Sequence, residues 1–160
     1  MWIWRLSRAS LAAAAIAVAA ACTSAVDLKQ AVQVTDVSTG WFDAGIVDGK
    51  NKLVPSVTFK LRKTADANLS MVSLNVVYRK INGEEHDDVF VQRVDFNGSE
   101  TAPITVRSQT GYTGDPPQSR ADMLKHSGFV DMEVEIFGRQ TSSQWVSLHK
   151  VQIDRRLLTD

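Results

Sequence analysis

The chain has 160 residues, room for one ordinary domain and too little for two. Its 18 basic and 18 acidic residues balance; Arg5 and Arg8 lie in a segment expected to be removed, which leaves 16 basic against 18 acidic in the mature chain. Without a basic face to displace counterions from phosphates, nucleic acid is not expected as a partner.

Met1 to Ala21 reads as an export signal: Arg5 and Arg8 precede an uncharged run of 11, LAAAAIAVAAA, that stops at Cys22. The run is too short to span a bilayer unaided. An Ala-x-Ala cut at Ala19-Ala20-Ala21 leaves an ordinary secreted protein. The single cysteine, however, directly follows three alanines. The string Val18-Ala19-Ala20-Ala21-Cys22 resembles the lipobox of bacterial lipoproteins, with Ala19 where that family favours Leu. The resemblance implies a diacylglycerol on the Cys22 thiol, cleavage before Cys22 and acylation of the new amino group. Several acyl chains at ~0.8 kcal/mol per buried CH₂ make a lasting anchor where one does not. The family's sorting habit implies, from Thr23 in place of Asp, an outer-membrane address facing the periplasm. The other reading of Cys22 is a lone thiol in a soluble periplasmic or secreted chain, free or bridged to another molecule. Under either reading no internal disulfide exists, and the core alone holds the fold.

Thr23 to Ala31 is short and polar, which with Cys22 suits a tether over 22–31, and the domain is expected over 32–160. Val32, Val34 and Val37 predict a first strand leading to Gly40-Trp41-Phe42-Asp43-Ala44-Gly45. Trp41 and Phe42 read either as the wall of a ligand groove or as the closing end of a core. Asp48-Gly49 signals a turn. From Val57 apolar residues alternate with polar ones at period two, and after Lys63 to Asn68 the alternation resumes at Val72, Leu74, Val76 and Tyr78, with Val77 as the exception. Asn82-Gly83 predicts a two-residue type I′ turn and a return strand from about Asp87 to Phe96.

Glu84-Glu85-His86-Asp87-Asp88 holds ligands suited to a hard cation or zinc, but adjacent strand residues face opposite ways and the spacing is not that of a calcium loop. A solvated hairpin tip is the plainer reading, and no metal is expected there. Ile104 and Val106 predict a short strand, followed by the longest loop, Ser108 to Pro117. Arg107, Tyr112 and Arg120 suit recognition of an anionic or sugar-like ligand, while Tyr112 alone also reads as a plug whose hydroxyl bonds backbone. Pro116 or Ser119 starts a short helix with Ala121 and Leu124 inward and Gly128 as a left-handed stop. Phe129 to Phe137 alternates cleanly, whereas the pattern of Trp145 to Ile153 is blurred, which reads either as a strand buried on both sides or as a bulge.

About seven short strands, one small helix and no strand-helix rhythm predict an all-β protein, a single immunoglobulin- or fibronectin-like β-sandwich with the helix before the penultimate strand. At LVPSVTFKLRK, SQTGYTG, ADML and QIDRRLLT the chain resembles small bacterial exported or lipid-anchored proteins with one such domain, a likeness spanning most of residues 32 to 158. The stretch Leu69 to Tyr78 after its polar break is similar to FxLYD-type modules, without their full string. Both likenesses imply a fold and leave function open.

No G-x-S-x-G elbow or phosphate-cradling loop occurs, and His86, His126 and His149 sit in ordinary contexts, so neither an enzyme nor a cofactor is expected. The expected function is a membrane-anchored, non-enzymatic interaction or assembly module with an envelope protein as partner. The alternative is a periplasmic solute- or glycan-binding protein using Trp41, Arg107, Tyr112 and Arg120.

Overall fold

The computed structural model describes residues 26–64, 69, 71–81, 83 and 85–158. The export segment, Cys22, Asn82 and Glu84 lie outside the described residues, and with them the lipidation site and part of the expected acidic tip. Among the described residues no helix is long and apolar enough to cross a membrane.

The chain enters through α1 (Leu28–Ala31), capped by the Asp27 carboxylate, which accepts from Lys29 N–H at 3.0 Å. Of the tether expected over 22–31, Leu28 and Ala31 are buried, and residues 22–25 lie outside the described residues. Leu28 seats against Gly138, where an added Cβ would lie 2.8 Å from the Leu28 Cδ2. The long strand β1 (Val32–Val47) follows and pairs antiparallel with β2 (Lys50–Lys63). Between them Asp48 and Gly49 both take positive φ, 52° and 76°, so the two-residue type I′ hairpin is realised here. A register shift between Thr35 and Ser38, with Asp36 at φ 52°, explains why Val32 and Val34 share a face with Val37 and Trp41 despite the odd spacing.

Strand β3 (Val72–Lys80) pairs with β4 (Glu85–Val94), but the register runs Arg79↔Glu85 with a shift between Tyr78 and Arg79. The turn expected at Asn82-Gly83 falls partly outside the described residues; β3 ends at Lys80 and β4 begins at Glu85. Short strands β5 (Phe96–Asn97) and β6 (Glu100–Thr101) form a small hairpin, and β6, β7 (Ile104–Arg107) and β8 (Tyr112–Gly114) pair in turn along the free edge of β2. The helix α2 (Arg120–Lys125) starts on Ser119, whose hydroxyl accepts from Asp122 N–H at 3.1 Å. It buries Met123 and Leu124 rather than the expected Ala121, and it ends at His126 in extended conformation rather than at a left-handed Gly128. Strands β9 (Met132–Gln140) and β10 (Val146–Gln152) complete the second sheet, with the expected bulge between Ser147 and His149. The final β11 (Leu157–Leu158) crosses to pair parallel with Trp41 and Phe42 of β1.

The result is an all-β protein in two sheets, β11-β1-β2-β6-β5 with β7 and β8 also on β2, and β10-β9-β3-β4. Among the described residues seven strands have four or more residues and four are shorter. The core lies between the sheets: Leu53, Val57, Phe59 and Leu61 of β2 face Val72, Leu74, Val76, Val134 and Ile136, all buried. Fully burying side chains of this size contributes roughly 1.5–3 kcal/mol each. Tyr78 crosses the gap and donates its hydroxyl to Val106 O at 2.7 Å; burial pushes its phenol well above the ordinary range.

The two ends differ. At the α1 pole Thr64 N–H donates to Ala31 O, Lys63 N–H to Ser99 O and Thr141 N–H to Met71 O. At the α2 pole Ile81 N–H donates to Asp131 O, and the Asn51 amide to Gln118 O at 2.8 Å. Asp87, read as part of a solvated tip, holds the long loop: its carboxylate accepts from the Ser108 hydroxyl and from Gln109 N–H.

Candidate functional site

The α2 pole carries a recess of about 250 Å³ lined by Trp41, Lys80, Gly111, Tyr112, Val130 and Met132. Strand alternation builds it. Val72, Leu74, Val76 and Tyr78 fill the inward row of β3, and Lys80 continues that row past the filled core. Met132 begins the inward row of β9, and Val130 continues it outward, 44% exposed. Trp41 is the floor, only 1% exposed, and its indole Nε1 has no hydrogen-bond partner among the described residues.

Phe129 ties the aromatic residues together. Its ring centroid lies 4.7 Å from Trp41 and 4.9 Å from Tyr112, both edge-to-face. The Arg155 guanidinium sits 4.9 Å from the Phe129 centroid on another side, held by Asp131 at 2.6 Å. Gly111 sets Tyr112 in place: a Cβ there would lie 2.1 Å from Leu53 O, so only glycine lets β8 approach β2. The expected plug contact of the Tyr112 hydroxyl is not to backbone but to His126 Nδ1 at 3.3 Å. Because His126 Nδ1 also accepts from Gly128 N–H, the hydroxyl is the donor in that pair.

Of the four residues expected at a binding site, Trp41 and Tyr112 come together and the two arginines do not. Phe42 and Arg107 face the outer side of their sheet, where the guanidinium lies 3.5 Å over the Phe42 ring. Arg120 donates to the Asp43 carboxylate at 3.0 Å. Lys80, the last residue of β3, shares the parity of Tyr78, the one signal in the sequence that places it at the recess. It has no carboxylate partner among the described residues. The recess has an apolar floor with one cation at its rim, and its volume falls below the roughly 300–1,000 Å³ of pockets for drug-sized ligands.

A wider depression of about 480 Å³ lies on the outer flank of α2, lined by Leu124, Lys125, Arg155, Arg156 and Leu157 among others. Its arginines are engaged, Arg155 with Asp131, Leu124 O and Phe129 O, and Arg156 with Thr39 O and Ser38. No protein-family model matches the chain, and neither a curated protein nor a solved structure matches it.

Hydrogen bonding from Arg155 holds the Asp131 carboxyl below its ordinary value of 3.8. A depressed carboxylate stabilises the fold above the unfolded-state value, and that stability is lost as pH falls through the folded one. The Tm gap between the protein and Asp131→Asn is therefore expected to be constant from about pH 5 to 8 and to close below about pH 4. A gap that widens in acid contradicts the Arg155–Asp131 assignment.

Proposed function

We propose that the protein is a membrane-anchored envelope lipoprotein whose sandwich, of immunoglobulin- or fibronectin-like kind, acts as a non-enzymatic interaction module. The carrying observation is the separation of its ends. The chain leaves the lipobox-like cysteine and enters the domain at the α1 pole, while the recess, the long loop and α2 occupy the other pole. From Val32 to Trp41 the strand rise of ~3.3 Å per residue spans roughly 30 Å, so an anchor at Cys22 holds the recess clear of the bilayer. The outer membrane and its periplasmic face fit Thr23 after the cysteine.

A second reading, a solute- or glycan-binding protein, draws support from the recess itself, with Lys80 beside Tyr112 and the floor of Trp41. One experiment separates the two. A photoreactive residue in place of Val130 is expected to capture a discrete envelope protein in intact cells, and one in place of Ile46 far less. Capture at background level, together with binding of phenylacetate by the purified protein that is lost in Lys80→Gln, overturns the interaction reading and leaves the solute reading standing.

A further inference from the structure

The α1 pole exposes apolar side chains that the core does not use. Val26 is 37% exposed, Met71 64% and Trp145 37%. They are neighbours by topology: Val26 precedes the helix that packs on β9 and β10, Met71 O accepts from Thr141 N–H, and Trp145 ends the turn that follows. Trp145 leans over the outer face of the second sheet, its ring 6.1 Å from Phe90, with the Arg139 guanidinium 4.5 Å from its centroid. Met71 holds this exposed position at φ 57°, a conformation that costs a residue with a Cβ energy.

Charge at this pole is uneven. Asp95 and Glu100 are paired with Arg93 and Arg62 and Asp27 caps α1, while Lys29, Lys63 and Arg139 have no carboxylate partner among the described residues, Lys63 lying over the Phe96 ring and Arg139 over Trp145. A tryptophan and a methionine flanked by cations that no carboxylate neutralises match the boundary between lipid phosphates and acyl chains, where tryptophan concentrates in membrane proteins. Chain length brings that boundary within reach. Cys22 precedes Val26 by four residues, at most roughly 14 Å of extended chain.

We propose that the α1 pole is a membrane-contact surface, with Trp145 and Arg139 at phosphate level and Met71 and Val26 against the upper acyl chains of the bilayer that holds Cys22. The inference rests on the lipoprotein reading and adds an orientation to it: the domain stands on the membrane rather than swinging from a free tether.

The test uses the mature acylated chain, whose tryptophans are Trp41 and Trp145, in phosphatidylethanolamine–phosphatidylglycerol vesicles carrying a lipid brominated near the acyl carbonyl. Trp145 emission is expected to be quenched, and Trp145→Phe is expected to leave only Trp41 emission, which the bromine does not reach. Val47→Trp placed in the Trp145→Phe background reports the opposite pole and stays bright. Quenching of that probe overturns the proposal. So does Trp145 emission that is blue-shifted yet unquenched in protein that sediments with vesicles, the result of a second copy or another protein seated on the pole. Protein that lacks acyl mass and fails to sediment overturns the anchoring reading itself, a different outcome from anchored protein with bright Trp145.

Discussion

Trp41→Ala is expected to destabilise the protein by about 3–5 kcal/mol, measured as a shift of the denaturant midpoint at unchanged slope. Trp41 is the largest of the fully buried side chains and meets Phe129 edge-to-face. It also sits where β11 closes onto β1: its N–H donates to Arg156 O at 2.8 Å, and its Cα partner across the parallel ladder is Leu157. Truncation therefore empties the floor of the recess and loosens the strand that joins the two sheets. Because the indole Nε1 has no partner among the described residues, Trp41→Phe removes volume without breaking a hydrogen bond and is expected to cost much less. Equal losses for the two variants would mean that the indole N–H is satisfied after all.

Gly111→Ala carries the second large effect, on the order of 3 kcal/mol, because the new Cβ meets backbone rather than a movable side chain. The 2.1 Å approach to Leu53 O leaves no room, so β8 must lift from β2 and carry Tyr112 away from Phe129. Stability and the recess fail together in this variant. The expected signature is a lowered Tm with loss of protection at the amides of Tyr112 and Gly114, while amides of β3 and β9 stay protected. Unchanged protection over 112–114 would contradict the role of Gly111 in holding the loop.

What was legible followed from period and parity. The alternation of Val57, Phe59 and Leu61 and of Val72, Leu74, Val76 and Tyr78 is the core as built, and the blurred facing after Trp145 is the bulge of β10. Turn chemistry was half legible. Both Asp48-Gly49 and Asn82-Gly83 carry suitable residues; the first forms the type I′ hairpin, while at the second Asn82 lies outside the described residues and Ile81 extends the ladder to β9 through Asp131 O. Helix signals included Ser119 among the caps and Leu124 on the inward face, but not Met123 in place of Ala121, because a helix this short takes its inward face from whatever it covers. Leu28 was hidden by its polar neighbours, since a single turn shows no period and the space beside Gly138 exists only once β9 is paired.

The site divides the same way. Trp41 and Tyr112 stood out by residue type, and their meeting through Phe129 depends on β8 folding back onto β2, a long-range pairing without a local signal. Arg107 and Arg120 suggested anion recognition by charge alone, yet Phe42 and Asp43 on β1 take them up. Lys80 needed only the parity of β3 to be continued by one residue. Asp87 shows the reverse: a residue read as solvated charge holds Ser108 and Gln109 and so fixes the loop that carries Tyr112.

The proposed function depends on where the chain is held. Intact mass of the mature protein, extracted from membranes, tests this most directly. The result expected is a chain beginning at Cys22 with the added mass of a diacylglycerol and an amide-linked acyl group. An unmodified amino terminus at or after Cys22, on protein recovered from the soluble fraction, would contradict it.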